Sequence, residues 1–211
     1  MIPIALKKWL GIRHSCKSPN SIFIGLIGGV GDLISAAPSV AALKRKYPDA
    51  KINFGVGDGI FFNTIKNDPN IDHFETPFFY DVWKKRARRK TYREKYKEHD
   101  LVFLLDNGTQ DWWQPRKHLL DIYAEKCGVS LEERRPLIYL NDSDFEEAQK
   151  KIYELGISDK NKFLVLSPET RSKKKMKEWP YERFLLLIQK IRENHDFKII
   201  TLVSKDNPYN Y

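Results

Sequence analysis

The sequence predicts an α/β fold built on an open, mostly parallel sheet with helices on both faces. Three observations predict it. Short apolar runs of strand length alternate with stretches of helix length from residue 21 onward. The first apolar run leads into a glycine-rich turn and then directly into a helix-like stretch. The alternation breaks near residue 141 and resumes near residue 163, which predicts a second α/β unit.

The composition indicates a globular, basic protein. Of its 211 residues, 41% are hydrophobic and 13% aromatic, so the chain can build a packed core. The net charge of +9 favours an anionic partner, which could be nucleic acid, an acidic membrane surface or a phosphorylated substrate. Cys16 and Cys127 have no CxxC spacing, which indicates a reduced, cytosolic setting. No apolar run has the length of a membrane span.

The first unit is predicted to alternate four strands with four helices. Pro38 predicts a kink or a late start in the first helix, and Gly128 can end the fourth. The predicted strands are Ile22–Ile27, Lys51–Val56, Asp72–Glu75 and Leu101–Leu105, and the predicted helices are Asp32–Tyr47, Gly59–Lys66, Tyr80–Glu98 and Arg116–Cys127.

The second unit is shorter. A helix over Asn141–Leu155 bridges the two units, and the second unit then consists of a strand at Phe163–Ser167, a helix at Tyr181–Asn194 and a strand at Lys198–Ser204. One helix cannot cover both faces of a two-stranded parallel sheet. We therefore expect either that the chain is a fragment, which we favour, or that another chain completes the sheet.

Four segments follow from this pattern. Residues 1–20 form an N-terminal arm whose apolar and basic residues suit either packing on the domain or an interfacial anchor. Residues 21–140 form a Rossmann-like domain, residues 141–160 a linker helix, and residues 161–211 an incomplete second Rossmann-like domain.

The glycine-rich turn holds a single carboxylate, Asp32. The turn lacks a dinucleotide fingerprint, since Ile34 stands at its third glycine position, and it lacks the GK[ST] of a phosphate loop. In the first turn of a helix, Asp32 could simply cap the helix dipole. The carboxyl ends of parallel strands also bind ligands, so Asp32 could instead accept a proton from a hydroxyl nucleophile. Gly29 and Gly31 would let a substrate approach the backbone.

A second polar cluster follows the strand that ends near Ser167. Thr170, Arg171 and Lys177 lie in a loop that also carries three further lysines. Hydroxyl, guanidinium and ammonium groups after a strand suit a phosphate. Taken by itself, the loop could equally be a solvated basic segment.

Together, in this order, the two stretches resemble glycosyltransferase family 9, the heptosyltransferases of lipopolysaccharide synthesis. The resemblance covers roughly residues 21–206. The matching features are Gly31-Asp32, Pro38, Pro48-Asp49-Ala50, Asp68-Pro69-Asn70-Ile71-Asp72, Thr170, Arg171, Lys177, Trp179-Pro180 and Glu182-Arg183-Phe184. The later C-terminal motifs of that family have no counterpart before Tyr211.

The resemblance implies a GT-B-like fold, with the acceptor on the N-terminal domain and a nucleotide-sugar, ADP-heptose in type, on the C-terminal domain. It implies an inverting reaction without metal or cofactor. Asp32 would be the catalytic base, Gly29 and Gly31 would lie against substrate, and Thr170, Arg171 and Lys177 would hold the diphosphate. The acceptor would be an anionic glycolipid or glycan. The protein would be cytoplasmic and peripheral at the inner face of the cytoplasmic membrane.

The basic run at residues 84–97 leaves rival functions open. Its charges could form a solvated face, or contact the phosphates of a lipid-linked acceptor or an anionic membrane surface. Tyr92 and Tyr96 could stack on nucleic-acid bases, but no known binding module accompanies them, so nucleic acid is disfavoured. The alternatives to a transferase are a catalytically inactive Rossmann-like remnant and a basic membrane- or nucleic-acid-binding module.

Overall fold

The structure is a computed structural model that describes residues 16–78, 95–106, 117–169 and 178–204. It divides the chain into two compact units, residues 1–141 and 142–211. The segment predicted as a linker helix therefore groups with the second unit. Each unit contains parallel strands connected through helices, which confirms the predicted α/β fold class.

The first unit contains a four-stranded parallel sheet in the order β3-β2-β1-β4. Strands β2 and β3 lie on one side of β1, and β4 lies on its other side. The strand order therefore reverses between β1 and β4. The elements within the described residues of this unit are β1 (Ser21–Ile27), α1 (Val30–Lys46), β2 (Lys51–Gly55), α2 (Ile60–Ile65), β3 (His73–Glu75), β4 (Leu101–Asp106) and α3 (Leu119–Cys127).

The sheet is buried on both faces, which explains why its strands are almost continuous apolar runs. Along β1, Ile22 and Ile24 point to a core shared with α1 and α3, while Phe23 points to the opposite face. The four strands predicted for this unit agree with the observed ones within one residue at each end.

A smaller aromatic cluster covers the second face of the sheet. The rings of Phe23 and Tyr96 stack with centroids 4.0 Å apart, and Phe78 packs against both rings. Tyr96 is only 4% exposed, and its hydroxyl donates to Glu75 Oε1 at 2.8 Å. The interpretation of Tyr96 as a stacking surface for bases is therefore wrong, because its ring is already used in the core. Tyr92 lies outside the described residues.

Helix α1 runs without interruption through Pro38 and begins two residues before the predicted start. Proline lacks the N–H that would bond to the carbonyl of Ile34, four residues earlier. The backbone N–H of Leu137 donates to that carbonyl instead, at 3.0 Å. A distant segment thus satisfies the group that Pro38 leaves unpaired, so the prediction of a late start was wrong.

The second unit contains α4 (Asp142–Glu154), β5 (Phe163–Leu166), α5 (Tyr181–Asn194) and β6 (Lys198–Thr201). Strands β5 and β6 pair in parallel. Several of its large apolar side chains are exposed in the described residues, among them Phe145 at 61% and Leu186 at 51%. Across the described ranges of both units, no helix combines the length and apolar character needed to cross a membrane.

Candidate functional site

Asp32 lies where β1 passes into α1, as the third residue of the helix. Its Oδ2 accepts a hydrogen bond from the backbone N–H of Gly29 at 2.6 Å. In return, the carbonyl of Gly29 accepts from the N–H groups of Asp32, at 3.0 Å, and Leu33, at 3.2 Å. This reciprocal pattern is one half of a capping box, so Asp32 does cap the helix. The capping role leaves the second carboxylate oxygen to be accounted for.

That second oxygen is held from another helix. The hydroxyl of Tyr123, on α3, donates to Asp32 Oδ1 at 3.1 Å. The Tyr123 side chain is fully buried in the core between α1, α3 and the sheet. Donors from two different elements therefore fix both oxygens of the carboxylate, which is more than a capping residue requires.

Gly28 makes this arrangement possible. A Cβ placed on residue 28 would lie 2.4 Å from Asp32 Cγ and 2.5 Å from Oδ2, closer than real Cβ contacts occur. At Gly29 the nearest atom would be 3.7 Å away, and at Gly31 no atom lies within 4 Å. Of the three glycines in the turn, Gly28 is the one whose missing side chain the folded carboxylate needs. The open space beside Gly31 leaves room for another molecule.

The position of Asp32 in the sheet is informative. Helix α1 starts at the carboxyl end of β1, beside the reversal of strand order between β1 and β4. Open α/β sheets bind ligands in the crevice at such a switch point. Asp32 is only partly buried, so a hydroxyl-bearing molecule in that crevice can reach it. The geometry suits a carboxylate that accepts a proton.

The predicted phosphate-binding residues Thr170, Arg171 and Lys177 lie outside the described residues and stay predictions. The structure does describe what flanks them. Glu169 accepts hydrogen bonds from the backbone N–H of Ser204 at 2.6 Å and from its Oγ at 3.3 Å, which ties together the segments that follow β5 and β6. Residues 167–180 thus connect the carboxyl end of β5 to the start of α5.

Two basic groups near the sheet have structural roles. Lys95, from the end of the basic run, forms an ion pair with Glu75 beside the Tyr96 hydroxyl. His118 is the N-cap residue of α3, and its Nδ1 accepts a hydrogen bond from the N–H of Leu120 at 3.3 Å. The rest of the basic run, residues 84–94, lies outside the described residues.

The sequence singles out Asp32, whose catalytic role stays a prediction, but it does not point to Tyr123 or to the specific role of Gly28. Tyr123 carries a weak signal, because it shares one face of α3 with the buried residues Leu120, Ala124 and Cys127. A buried tyrosine needs a partner for its hydroxyl. Nothing local in the sequence identifies that partner, which lies 91 residues earlier.

Comparison with known proteins finds no matching family model and no matching curated sequence. Solved structures do match. A glycosyl transferase family 9 protein from Veillonella parvula aligns with a TM-score of 0.60 at 15% identity, over 90% of this chain and 70% of that one. An E. coli ADP-heptose lipopolysaccharide heptosyltransferase II aligns with a TM-score of 0.54 at 12% identity, over 88% of this chain and 65% of that one.

A third match is the E. coli heptosyltransferase WaaC with ADP-2-deoxy-2-fluoro heptose. It aligns with a TM-score of 0.51 at 13% identity, over 88% of this chain and 70% of that one. This chain thus spans roughly two thirds of the length of the proteins it resembles. Its fold is the one found in the family 9 glycosyltransferase and the ADP-heptose heptosyltransferases.

Proposed function

We propose that this chain carries the acceptor side and part of the donor side of an inverting, metal-independent glycosyltransferase of the heptosyltransferase type. The observation that supports this most directly is the carboxylate of Asp32. It is fixed through both oxygens at the switch point of a fold that this chain shares with known glycosyltransferases. A partly exposed carboxylate held there is suited to general-base chemistry.

In the proposed reaction, an acceptor hydroxyl attacks the anomeric carbon of a nucleotide-sugar. A bond forms between the acceptor oxygen and that carbon, and the bond from the carbon to the diphosphate oxygen breaks. The hydroxyl proton passes to Asp32. Gly29 and Gly31 lie against the substrate, while Thr170, Arg171 and Lys177 stabilise the charge of the departing nucleoside diphosphate.

We propose ADP-heptose as the donor, since two of the structural matches are proteins described with ADP-heptose or its fluorinated analogue. The proposed acceptor is an anionic lipopolysaccharide or another surface glycan. The net charge of +9 supports an anionic partner. We place the protein in the cytoplasm, peripheral at the inner face of the membrane where such acceptors are built.

The test is transfer from ADP-heptose to purified lipopolysaccharide, followed as release of ADP. Asp32→Asn keeps the size of the side chain and removes its basicity, and we expect it to lower kcat by roughly 10²- to 10⁴-fold. Asp49→Asn is the matched control, because Asp49 is an exposed aspartate just before β2. It removes the same charge and should leave the rate unchanged.

The outcomes separate the rival functions. Full activity in Asp32→Asn would remove this residue from the catalytic role. Binding of ADP-heptose without turnover in the wild-type protein would identify a non-catalytic remnant. Indifference to ADP-heptose, together with nucleic-acid binding that weakens steeply with salt, would identify a basic binding module.

A further inference from the structure

We propose that Tyr123 is a positioning residue for Asp32, and that the Tyr123 hydroxyl sets the orientation of the Asp32 carboxylate. The consequence for the rate of transfer rests on the function proposed above. The hydrogen bond and its effect on the orientation of the carboxylate do not depend on that function, so experiments can contradict the positioning role and the proposed function separately.

The hydrogen bond from Tyr123 to Asp32 joins residues that are far apart in the sequence. The bond from Gly29 to Asp32 is local, three residues apart, and an acidic residue in the first turn of many helices makes one like it. The bond from Tyr123 spans 91 residues and joins α3 to α1. Helix capping does not require it. A long-range donor to the second oxygen therefore indicates that the fold holds the Asp32 carboxylate in one orientation.

The identity of the side chain at position 123 also indicates a role for its hydroxyl. The Tyr123 side chain is fully buried against a core of aliphatic residues, where phenylalanine would pack equally well. A buried hydroxyl is unfavourable unless it forms a hydrogen bond, so tyrosine fits this position because its hydroxyl has a partner. The described partner is Asp32 Oδ1.

The two donors also restrict the orientation of the Asp32 carboxylate. Donors on different oxygens fix the plane of a carboxylate, which has about four acceptor positions. With one donor at 2.6 Å on Oδ2 and one at 3.1 Å on Oδ1, the carboxylate of Asp32 has little freedom to rotate. Gly28 provides the space in which it lies. Loss of the Tyr123 hydroxyl removes one of these two donors, so the carboxylate should be less tightly oriented.

The experiment compares Tyr123→Phe with Tyr47→Phe. Both variants remove one hydroxyl and keep the ring. Tyr47 sits at the other end of α1, partly buried against the same core, and serves as the matched control. The side-chain ¹³Cγ signal of Asp32, assigned by its loss in Asp32→Asn, is compared by NMR in the three proteins at one pH, near 7.

We expect Tyr123→Phe to shift the ¹³Cγ signal of Asp32, because one of the two donors on its carboxylate is lost, and Tyr47→Phe to leave that signal in place. In the transfer assay, kcat should fall about tenfold with little change in KM, because the substrate contacts remain.

The outcomes are distinct. A shifted Asp32 signal without transfer activity in any variant supports the positioning role and counts against the proposed function. An unshifted Asp32 signal in Tyr123→Phe overturns the positioning role, whether or not the rate falls. If Tyr123→Phe does not fold, Asp32→Ala tests the bond from its other end. The ¹³Cζ signal of Tyr123 should then move, and a signal that stays in place overturns the proposal.

Discussion

The carboxylate of Asp32 lies directly against the backbone of Gly28. A Cβ at residue 28 would come within 2.4 Å of the carboxyl carbon, and the atoms it would meet belong to a side chain held at both oxygens. To relieve this clash, the carboxylate would have to break its hydrogen bond with Gly29, its hydrogen bond with Tyr123, or both. Gly28 thus contributes space for the Asp32 side chain, because it has no Cβ to occupy that position.

Gly28→Ala is expected to displace the carboxylate and so to remove the helix cap. Loss of a cap costs about 0.5–2 kcal/mol, and we expect the free energy of unfolding to fall by that amount. Transfer activity should fall toward that of Asp32→Asn. Urea unfolding and the ADP-release assay measure the two effects.

Gly31→Ala is the matched control for stability. An added Cβ there meets nothing within 4 Å, and the residue lies inside α1. Alanine should therefore raise the free energy of unfolding, by up to about 1 kcal/mol, since it restricts the unfolded chain and favours the helix. If Gly28→Ala were as stable as the wild type, the carboxylate would not lie where the structure places it.

The order of the described strands and helices could be predicted because strands β1 and β4 are apolar runs buried on both faces and each helix carries its own local pattern. The site was only half predictable. Asp32 follows from its place after an apolar run and a glycine turn, both of which are local features. Tyr123 and Leu137 reach their partners across 91 and 103 residues. No spacing in the sequence encodes such contacts, so only the folded chain shows them.

Cys127 should be unreactive in the folded protein. Its side chain is 4% exposed, and burial raises the pKa of its thiol to about 12, so very little thiolate exists at pH 8. With Cys16 replaced by serine, a disulfide exchange reagent should modify the protein only as fast as it unfolds. Adding urea should accelerate the reaction in step with loss of helix signal. Rapid modification under native conditions would contradict the buried placement of Cys127 on α3.

Asp72 should stabilise the fold above pH 4. Burial opposes its ionisation, but the N–H of Ile52, at 2.8 Å, and the ammonium of Lys44, at 3.0 Å, together lower its pKa below the usual value. A carboxyl whose pKa is lower in the folded state contributes stability above its unfolded value of about 3.9 and loses it as the pH falls through the folded value.

Asp72→Asn should therefore lower the free energy of unfolding near pH 7, by less than about 1 kcal/mol because the ion pair is partly exposed. The difference from wild type should shrink below pH 4. Urea unfolding at several pH values measures this, with Asp49→Asn as the control for simple loss of charge. A constant difference at every pH would mean that the ionisation of Asp72 is not involved.

Asp68, four residues earlier in the same turn, should behave in the opposite way. It is 3% exposed, and burial raises the pKa of its carboxyl, despite donation to Oδ1 from the backbone N–H and side-chain amide of Asn70. Its Oδ2 has no hydrogen-bond partner among the described residues. A carboxyl with a raised folded pKa destabilises the fold above that value, and the cost disappears as the pH falls below the unfolded value.

Asp68→Asn keeps an oxygen for the two donors of Asn70 and removes the buried charge. We expect it to raise the free energy of unfolding near pH 7 by on the order of 1 kcal/mol and to match wild type near pH 3. A second readout is Tyr139, whose pKa is raised by burial and also by the charge of Asp68. Its ¹³Cζ titration should move to lower pH in the variant. A variant less stable than wild type at pH 7 would mean that the charge of Asp68 is compensated in the folded protein.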